Sequence, residues 1–572
     1  MSALSQLGVS PKSTVGVYGI NSPEWFLTMQ ALSSMSAICV PIYDTMGEEN
    51  VEYVISHSES CAVAVQDTKL SPLAKILAKG NCSNVTSIVY WGNPSEETIN
   101  EMKQALGSDG SNIVSYDRAL EMGKSKPMEH QPPNPEDLTT IMYTSGTTGE
   151  PKGVMLTHSS VLAQINAIVL YTQYLNLSIG SDDVLLSYLP LAHIMDRVIE
   201  ETMIACGACI VYWRGDIKNI MEDIKIIKPT ILPGVPRVFD RVYSKAMSQV
   251  QSSAMKRCLY NIAFNNKRKR LDCDHVKSED THLWNHLIFN KMKSALGGNV
   301  KVIISGAAPL AQHVEDFLRI SMCCPVVQGY GLTETNASSF IGICNDSRST
   351  GTVGPPMPST LLRLESIPEM EYDAHADPPR GEVIIGGPTV FSGYYKKDDE
   401  TKKSTDDDGY FHTGDVGELT PEGFLRIIDR KKNIFKLAQG EYIAVEKLEN
   451  TYGQAQLVDS IWIHGNSFHT YLVAVAVPNE EKLRSATGAG QETVGFEELC
   501  KRETAKNAVV DELGKVAEKE GLKGLEKVKK VHLEPEAFSV ESNLLTPTFK
   551  KKRPQLQKWY QQVIEEMYKD NQ

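Results

Sequence analysis

The chain has 572 residues, and its 71 acidic against 58 basic residues give a net charge of −13 at pH 7. This length predicts two to four folding units, and a hydrophobic fraction of 41% is typical of a globular protein with a large core. The acidic balance argues against a general nucleic-acid-binding protein, because such proteins are basic. Any anionic ligand must therefore be held by a local group of basic residues.

Targeting and redox signals are sparse in this sequence. Its eleven cysteines are too few for a disulfide scaffold, and Cys206 and Cys209 have CxxC spacing without a second such pair. We interpret this pair as buried thiols rather than a metal or redox site. No run of about 18 apolar residues predicts a membrane span, and neither a signal-peptide core nor a C-terminal peroxisomal tripeptide is visible. These features predict a cytoplasmic protein and leave peripheral attachment to an intracellular membrane open.

The beginning of the chain is predicted to alternate between strands and helices, which is typical of parallel α/β layers. Asn21-Ser-Pro-Glu24 indicates a helix start, since proline suits the first helical position. Strands are predicted at 15–18, 40–42 and 62–65, and a second helix at 48–56.

Residues 92–136, in contrast, are polar and rich in Gly, Ser and Pro, and they are predicted to form a loop or a link between subdomains.

A stretch rich in glycine and hydroxyl groups, Tyr-Thr-Ser-Gly-Thr-Thr-Gly-Glu-Pro-Lys-Gly at 143–153, lies between predicted strands at 138–142 and 154–157. Its glycines let backbone N–H groups approach an anion, and its hydroxyls can bind phosphate oxygens or Mg²⁺. Lys152 supplies a mobile charge. The stretch is not a Walker A site, because Pro151 precedes the lysine. The residues alone leave a polyphosphate-binding loop and an ordinary surface turn as alternatives.

Two features in the middle of the chain are ambiguous from sequence alone. His193 follows a predicted strand at 185–190, and a single histidine in such a place is more often structural than catalytic. The basic run 267–270 lies within a region, 244–297, that is predicted to be helical. A solvated helix face is the favoured interpretation of this run, with contact to acidic lipid or to the phosphates of a ligand as the alternative.

A second glycine-rich stretch, Gly-Tyr-Gly-Leu-Thr-Glu-Thr at 329–335, follows a predicted strand. The two glycines beside Tyr330 could let its ring lie flat against a planar ligand, and Glu334 could bind a metal. The alternative is a plain connection after a strand. Upstream, a strand at 300–305 is predicted to turn through Gly-Ala-Ala-Pro into a helix with Pro309 near its first position.

The last third of the chain divides into a β-rich stretch at 380–430 and a smaller α/β unit at 433–572. A final helix is predicted at 553–568, because its apolar residues recur at helical spacing. Such a face indicates packing against a core, with a helix lying on a membrane as the alternative. The residues concerned are Leu556, Trp559, Tyr560, Val563, Ile564 and Met567.

Five stretches follow one another as they do in a known superfamily: 143–153, 329–335, 410–415, 428–436 and 546–553. This series covers most of the chain and resembles the adenylate-forming superfamily of acyl-CoA synthetases, luciferases and peptide-synthetase adenylation domains. Three further stretches look like the eukaryotic long-chain fatty acyl-CoA synthetases: Leu189-Pro-Leu-Ala-His-Ile-Met-Asp-Arg197, Phe435-Lys-Leu-Ala-Gln-Gly-Glu-Tyr442 and Leu545-Thr-Pro-Thr-Phe-Lys-Lys-Lys-Arg553.

The resemblance implies an α/β fold with two domains. Residues 1–430 would form a large N-terminal adenylation domain with stacked α/β layers and a β-barrel-like subdomain, and residues 431–572 a small mobile α+β domain. It also implies a long-chain fatty acid–CoA ligase, in which the acid attacks ATP to give an acyl-adenylate and pyrophosphate. The CoA thiol would then take the acyl group and release AMP. The alternatives are a ligase for medium-chain or aryl acids, and a non-catalytic protein that binds a fatty acid or acyl-CoA.

The resemblance also implies roles for individual residues. The catalytic residues would be Lys550, His193, Thr333 and Glu334. Thr144 and Glu334 would bind Mg²⁺, and Lys432 would be the hinge between the domains. Tyr330 would stack on adenine, and Asp415 would accept both ribose hydroxyls. The nucleotide-binding residues would be Thr144, Ser145, Gly146, Thr147, Thr148, Lys152, Gly306, Ala307, Ala308, Gln328, Gly329, Tyr330, Gly331, Asp415, Arg430, Lys432 and Lys436.

Two departures from the family pattern are visible. Many relatives have glycine before the catalytic lysine, where this chain has Phe549, and Lys551 and Lys552 are register alternatives to Lys550. Relatives of this branch carry roughly a hundred more residues upstream, and their absence could remove a targeting segment and part of the first subdomain. The resemblance implies two orientations of the small domain. Lys550 would act in the first, and Lys436 would serve the second.

Overall fold

The computed structural model describes residues 1–144, 150–271, 283–439, 441–488, 494–546 and 549–569. These residues form two mixed sheets flanked by helices, one antiparallel four-stranded sheet, and a two-stranded and a three-stranded sheet near the C-terminus. The α/β class predicted from the sequence is confirmed. Within the described part of the chain, every helix is too short or too polar to cross a bilayer.

The first sheet is built from the first 157 residues. Its strands are β1 (Thr14–Tyr18), β2 (Ile38–Ile42), β3 (Ala62–Gln66), β4 (Ser87–Trp91), β5 (Ile113–Ser115), β6 (Leu138–Thr144) and β7 (Lys152–Thr157). The helices are α1 (Ser2–Gln6), α2 (Pro23–Ser33), α3 (Glu48–His57), α4 (Asp67–Ala78), α5 (Glu96–Leu106) and α6 (Tyr116–Ser125). The strand order is β5–β4–β3–β1–β2–β6–β7, and only β6 and β7 pair antiparallel. This pair therefore brings Thr144 and Lys152 together at one end of the sheet.

The predicted link at 92–136 is wrong, because this segment supplies α5, β5 and α6 and completes the edge of the first sheet. The sequence signal was weak for a physical reason. The strand β5 has three residues, and α6 has no buried residue, so neither shows a clear hydrophobic period.

The second sheet follows directly. Its strands are β8 (Val184–Ser187), β9 (Cys209–Tyr212), β10 (Ile231–Gly234), β11 (Val302–Ser305), β12 (Val326–Tyr330) and β13 (Phe340–Ile341), in the order β13–β12–β11–β10–β8–β9. Its helices are α7 (His158–Tyr174), α8 (Ile194–Ala205), α9 (Ile220–Ile227), α10 (Pro236–Gln251), α11 (Ala254–Leu271), α12 (Asn290–Lys293), preceded by a π-helical turn at Asn285–Phe289, and α13 (Gln312–Ser321). All pairs are parallel except β12 with β13.

Two expectations about this sheet are corrected. Pro309 does not start a helix, since α13 begins at Gln312 and the preceding loop is held open by a left-handed residue, Ala307, with φ +69°. Cys206 and Cys209 are not both buried, because Cys209 lies on the edge strand β9 and is exposed while Cys206 is half-buried.

The third sheet and the C-terminal unit complete the chain. The antiparallel sheet contains β14 (Leu361–Glu365), β15 (Arg380–Gly386), β16 (Phe411–Leu419) and β17 (Leu425–Arg430), with α14 (Asp398–Ser404) between β15 and β16. The C-terminal strands are β18 (Phe435–Lys436), β19 (Tyr442–Ile443), β20 (Val458–His464), β21 (Leu472–Pro478) and β22 (Val528–Leu533). The helices are α15 (Val445–Tyr452), α16 (Glu480–Ala486), α17 (Phe496–Lys501), α18 (Glu503–Lys519), α19 (Arg553–Trp559) and α20 (Gln561–Lys569).

The single helix predicted at 553–568 is divided into α19 and α20 at Tyr560. Leu556, Tyr560 and Ile564 are buried against the C-terminal sheet, so the core-packing interpretation holds for these residues. Trp559 is instead exposed.

Candidate active site

The residues predicted to bind the nucleotide and substrates surround one cavity of about 2210 Å³. Its walls come from the carboxyl ends of β11 and β12, from β16 and β17, and from the loop before α19. Ligands of α/β sheets bind at such strand ends. The predicted site residues that line it are Thr144, Lys152, His193, Gly306, Ala307, Ala308, Gln328, Gly329, Tyr330, Gly331, Thr333, Glu334, Asp415, Arg430, Lys432 and Lys550.

The remaining predicted residues are not brought to this cavity. Ser145, Gly146, Thr147 and Thr148 lie outside the described residues. Lys436 is exposed, and its ammonium lies 5.0 Å from the centre of the Tyr442 ring, away from the cavity.

Tyr330 and Asp415 connect the second sheet to the third. The Tyr330 hydroxyl donates a hydrogen bond to Asp415 Oδ2 at 2.7 Å, and Arg430 Nε lies 3.3 Å from Oδ1. Burial, reinforced by the Asp415 charge, raises the pKa of Tyr330 well above its usual range, so the phenol stays protonated and donates. The planar ring of Tyr330 and the carboxylate of Asp415 are therefore held side by side. This arrangement suits a ligand in which a planar base is joined to a sugar.

Two short backbone segments shape the same wall. A side chain at Gly331 would place its Cβ 1.3 Å from the Ala337 carbonyl oxygen, so no residue with a Cβ fits there without moving the backbone. The Gln328 side chain accepts from the Leu310 N–H at 2.9 Å and donates to Glu315 at 2.8 Å. Gln328 thus holds the loop after β11 in place, and we assign its amide to positioning this loop rather than to direct ligand contact.

Glu334 and Lys152 are joined by a tyrosine that sequence reasoning did not single out. The Tyr394 hydroxyl donates to Glu334 Oε1 at 2.8 Å, and the Lys152 ammonium lies 4.9 Å from the centre of the same ring. Lys152 Nζ also pairs with Glu400 Oε2 at 2.6 Å. A bound triphosphate would replace Glu400 as the partner of this lysine, since both are anions.

Glu334 fits a role in binding Mg²⁺ together with phosphate. It is buried, and it follows β12 in a short turn at Thr333–Thr335. Among the described residues, no three His, Cys, Asp or Glu side chains form a group that could hold a metal alone. Mg²⁺ commonly takes one or two carboxylates and completes its shell with phosphate and water oxygens. One carboxylate beside a bound triphosphate would meet that requirement.

His193 sits at the start of α8, where its Nδ1 accepts a hydrogen bond from the Met195 N–H at 3.2 Å. Burial, with a further contribution from the Lys550 charge, lowers the pKa of His193 to about 3. The imidazole is therefore neutral, and its proton is on Nε2 because Nδ1 is the acceptor. A neutral N–H donor can hold a carboxylate or phosphate oxygen without adding charge.

All three consecutive lysines line the cavity, but Lys550 is the one whose ammonium interacts with the charges around the predicted nucleotide site. Burial, and then the charge of Arg430, lowers the pKa of Lys550 to about 8, and the carboxylates of Glu446, Asp415 and Glu334 oppose this shift. Lys551 is instead bound to Glu449 at 2.7 Å, and Lys552 is bound to Asn543. Lys551 and Lys552, the register alternatives to Lys550, are therefore held by other side chains.

Glu449 is a positioning residue that sequence reasoning missed. This buried carboxylate on α15 accepts from both guanidinium nitrogens of Arg553, at 2.9 and 3.0 Å, and from the Ile463 N–H at 2.9 Å. Burial alone would raise the pKa of Glu449, but the charges of Arg553 and Lys551 hold it below its usual value. No local pattern marks it, because its charged partners Lys551 and Arg553 are 102 and 104 residues away along the chain.

Phe549 stands where many relatives have glycine, and its backbone has a conformation that is unusual for a residue other than glycine. Its φ of +61° is in the left-handed region that favours glycine. Its ring lies 5.2 Å from the guanidinium of Arg237, the second residue of α10. The contact therefore joins the loop that carries Lys550 to the opposite wall of the cavity.

This fold is that of known adenylation domains. The structure is similar to the adenylation domain of a carboxylic acid reductase from Segniliparus rugosus, solved with AMP and a co-purified carboxylic acid. The TM-score is 0.78 and the sequence identity 24%, with 98% of this chain and 83% of that chain covered.

Sequence comparison then gives the family. Residues 2–395 match the family model of AMP-binding enzymes. The chain is 47% identical to long chain acyl-CoA synthetase 4 and 46% identical to long chain acyl-CoA synthetase 5, both from Arabidopsis thaliana. Each comparison covers 99% of this chain and 84% of the relative. The chain belongs to the AMP-binding enzymes and, within them, to the long-chain acyl-CoA synthetase family.

Proposed function

We propose that this protein couples a long-chain fatty acid to CoA in two half-reactions at one cavity. The observation that carries the proposal is the position of Lys550, a residue of the C-terminal unit, among the charges of Asp415, Glu334 and Arg430. The near-complete similarity to long-chain acyl-CoA synthetases gives the substrate class.

In the first half-reaction, a carboxylate oxygen of the fatty acid attacks the α-phosphorus of ATP. The bond from that phosphorus to the bridging oxygen breaks, and pyrophosphate leaves with the electron pair. Lys550 and Thr333 would stabilise the charge on the α-phosphate, and His193 Nε2–H would hold the attacking carboxylate. Adenine would stack on Tyr330, and Asp415 would bind the ribose hydroxyls. Fixed donors of this kind lower the barrier where negative charge develops.

Mg²⁺ would supply charge neutralisation for the triphosphate when bound. We propose Glu334 as its carboxylate ligand and the Thr144 hydroxyl as a second contact. Lys152 would exchange Glu400 for the β- and γ-phosphates, together with the backbone of 145–148, and thereby help pyrophosphate to leave.

In the second half-reaction, the CoA sulfur attacks the acyl carbonyl, and AMP departs with the electron pair of its bond. We propose residues 1–430 and 431–572 as two domains that rotate about Lys432 between the steps. The exposed Lys436 would reach the cavity only in the rotated arrangement, which withdraws Lys550.

A fatty-acid panel with the purified protein tests the proposal. We expect pyrophosphate release that requires ATP and a long-chain acid, with AMP and acyl-CoA appearing when CoA is added. Lys550→Ala should slow adenylate formation by about 10²–10³-fold and still bind ATP. Pyrophosphate release that is fastest with medium-chain or aryl acids would overturn the substrate class, and ligand binding without any release would overturn the enzyme itself.

A further inference from the structure

Two helical segments form a hairpin on the side of the second sheet. The helix α11 and the segment 283–293, which contains the π-helical turn and α12, pack through the rings of Tyr260 and Phe289, whose centres are 6.3 Å apart. Lys267 Nζ donates to Asn285 Oδ1 at 3.0 Å, which extends the contact between the two segments toward the C-terminal end of α11. Tyr260 also bonds to Ser321 of α13, so the inner side of the hairpin belongs to the protein core.

The outer side of this hairpin is apolar and exposed. Met255, Leu259 and Ile262 recur at the i, i+4, i+7 spacing of one helix face, and they are 70%, 45% and 50% exposed. On the neighbouring segment, Leu283 and Leu287 are one turn apart and 65% and 64% exposed. We call these five residues the α11 face. A row of large apolar side chains at helical spacing differs from single exposed residues, which are common on any surface.

The charge around the α11 face is opposite to that of the whole chain. The segments 254–271 and 283–296 contain eight Lys and Arg and no Asp or Glu. Of these eight, Lys267 is buried and Arg268 pairs with Asp316 at 3.1 Å, which leaves six to face solvent or lipid. Including the acidic stretch 272–282, residues 254–296 still carry nine basic against four acidic residues, in a protein with net charge −13. Lys269 and Arg270 are exposed, and at helical spacing they follow Ile262 and Leu259 on the same side of α11. This combination is typical of helices that lie on anionic bilayers.

The α11 face is also close to the substrate cavity along the chain. The preceding helix, α10, lines the cavity with Tyr243 and Met247, and the lining continues to Gln251 at its end. Only two residues separate that end from the start of α11 at Ala254. A bilayer bound at this face would therefore lie next to the wall of the cavity.

We propose that the α11 face docks on an anionic phospholipid surface, with its apolar row inserted at the headgroup boundary and its Lys and Arg side chains on the lipid phosphates. The benefit of this docking rests on the proposed function, because the long-chain acid partitions into lipid and would be delivered beside the cavity. The docking itself is a property of the surface and can be measured without catalysis.

Co-sedimentation of the full chain with vesicles tests the docking. We expect binding to vesicles of phosphatidylcholine mixed with phosphatidylserine, weaker binding to phosphatidylcholine alone, and release as ionic strength rises toward ~1 M. The double variant Leu259→Glu/Ile262→Glu should bind the anionic vesicles at least about tenfold more weakly than the parent. The matched control is Leu120→Glu/Leu361→Glu, since these residues are 50% and 55% exposed on other elements and should leave binding unchanged.

An activity measurement separates docking from catalysis. Leu259→Glu/Ile262→Glu should keep the rate of pyrophosphate release with an acid short enough to dissolve in water, and should lose rate with a long-chain acid presented in anionic vesicles. If the protein binds vesicles but releases no pyrophosphate with any acid, the proposed function fails and the docking stands. Equal vesicle binding by the parent and the double variant overturns the docking. The docking is also overturned if the parent is a dimer and the double variant is a monomer that still binds vesicles as well as the parent. That result would make the α11 face an interface between copies of this chain.

Discussion

Glu449 and Arg553 form a two-point ion pair, with Nη1 to Oε1 at 2.9 Å and Nη2 to Oε2 at 3.0 Å. Lys551 binds the same carboxylate at 2.7 Å. These two cations are one and three residues after Lys550 along the chain. The buried carboxylate therefore fixes the backbone that directly follows Lys550.

We expect Glu449→Gln to slow adenylate formation by about 10²-fold, because loss of the ion pair displaces Lys550 and misplacement of about 1 Å can reduce rate to that extent. Transfer of the acyl group from a preformed acyl-adenylate to CoA should change little, since that step does not use Lys550. Rapid quench with each substrate measures the two rates separately.

The neighbouring Lys552→Gln is the control for this variant, because Lys552 is bound to Asn543 and not to Glu449. It should leave both half-reactions unchanged. If Glu449→Gln slows both half-reactions equally, the carboxylate supports the fold of the unit rather than the position of Lys550.

The pH dependence of adenylation should follow Lys550. Its pKa of about 8 in the free protein means that the ammonium is present below pH 8 and is lost above it. We expect kcat/KM for ATP to fall as pH rises through about 8, since this constant reports the free enzyme. The bound triphosphate favours the charged lysine, so the corresponding fall in kcat should lie at higher pH.

Lys550→Arg tests this assignment, because guanidinium keeps its charge through the whole range. The variant should be slower than the parent and should lack the alkaline limb. An alkaline limb that persists at the same pH in Lys550→Arg would show that another group titrates.

Phe549→Gly should separate backbone strain from a contact across the cavity. A left-handed residue other than glycine costs about 1–2 kcal/mol, whereas an exposed cation–π contact contributes about 0.5–1 kcal/mol. We expect the free energy of unfolding to change by less than ~1 kcal/mol, because relief of strain is offset by the greater freedom of glycine in the unfolded chain. Adenylation should slow about two- to fivefold through loss of the Arg237 contact.

Arg237→Gln should reproduce this slowing without a change in unfolding, measured by denaturant titration. The double variant should be no slower than the slower single variant, since one contact is removed in each case. Additive losses in the double variant would mean that the two residues act independently.

Tyr330→Phe should weaken AMP binding by up to about tenfold, since it removes the hydrogen bond to Asp415 and keeps the ring. Tyr330→Ala should weaken it further, because the stacking surface is lost as well. Calorimetric titration with AMP gives both values. Tyr410→Phe, outside the cavity, serves as the control, and equal affinities for the parent and Tyr330→Ala would place the base elsewhere.

Glu334→Gln should raise the Mg²⁺ concentration that half-saturates pyrophosphate release by about tenfold or more, because a neutral amide oxygen binds the ion less strongly than a carboxylate. The measurement is a Mg²⁺ titration at saturating ATP. A half-saturation point equal to that of the parent would remove Glu334 from the metal site.

The sequence by itself determined the fold class, and its resemblance to a known family implied the chemistry. Local rules of backbone approach and charge made the stretches 143–153 and 329–335 candidate ligand-binding loops, but left ordinary turns as alternatives. The same local reading failed at 92–136, where short and polar elements carry little periodic signal, and at Tyr560, where packing interrupts a continuous helical pattern.

The tertiary structure decided which of three adjacent lysines interacts with Asp415, Glu334 and Arg430, and which side chains hold the other two. Lys152 and Glu400 are 248 positions apart, and Arg553 and Glu449 are 104 apart. Hydrophobic periodicity and turn chemistry describe only residues within a few positions of each other. Pairings between distant elements arise when the sheets pack, because only then does burial of one charge require a particular partner.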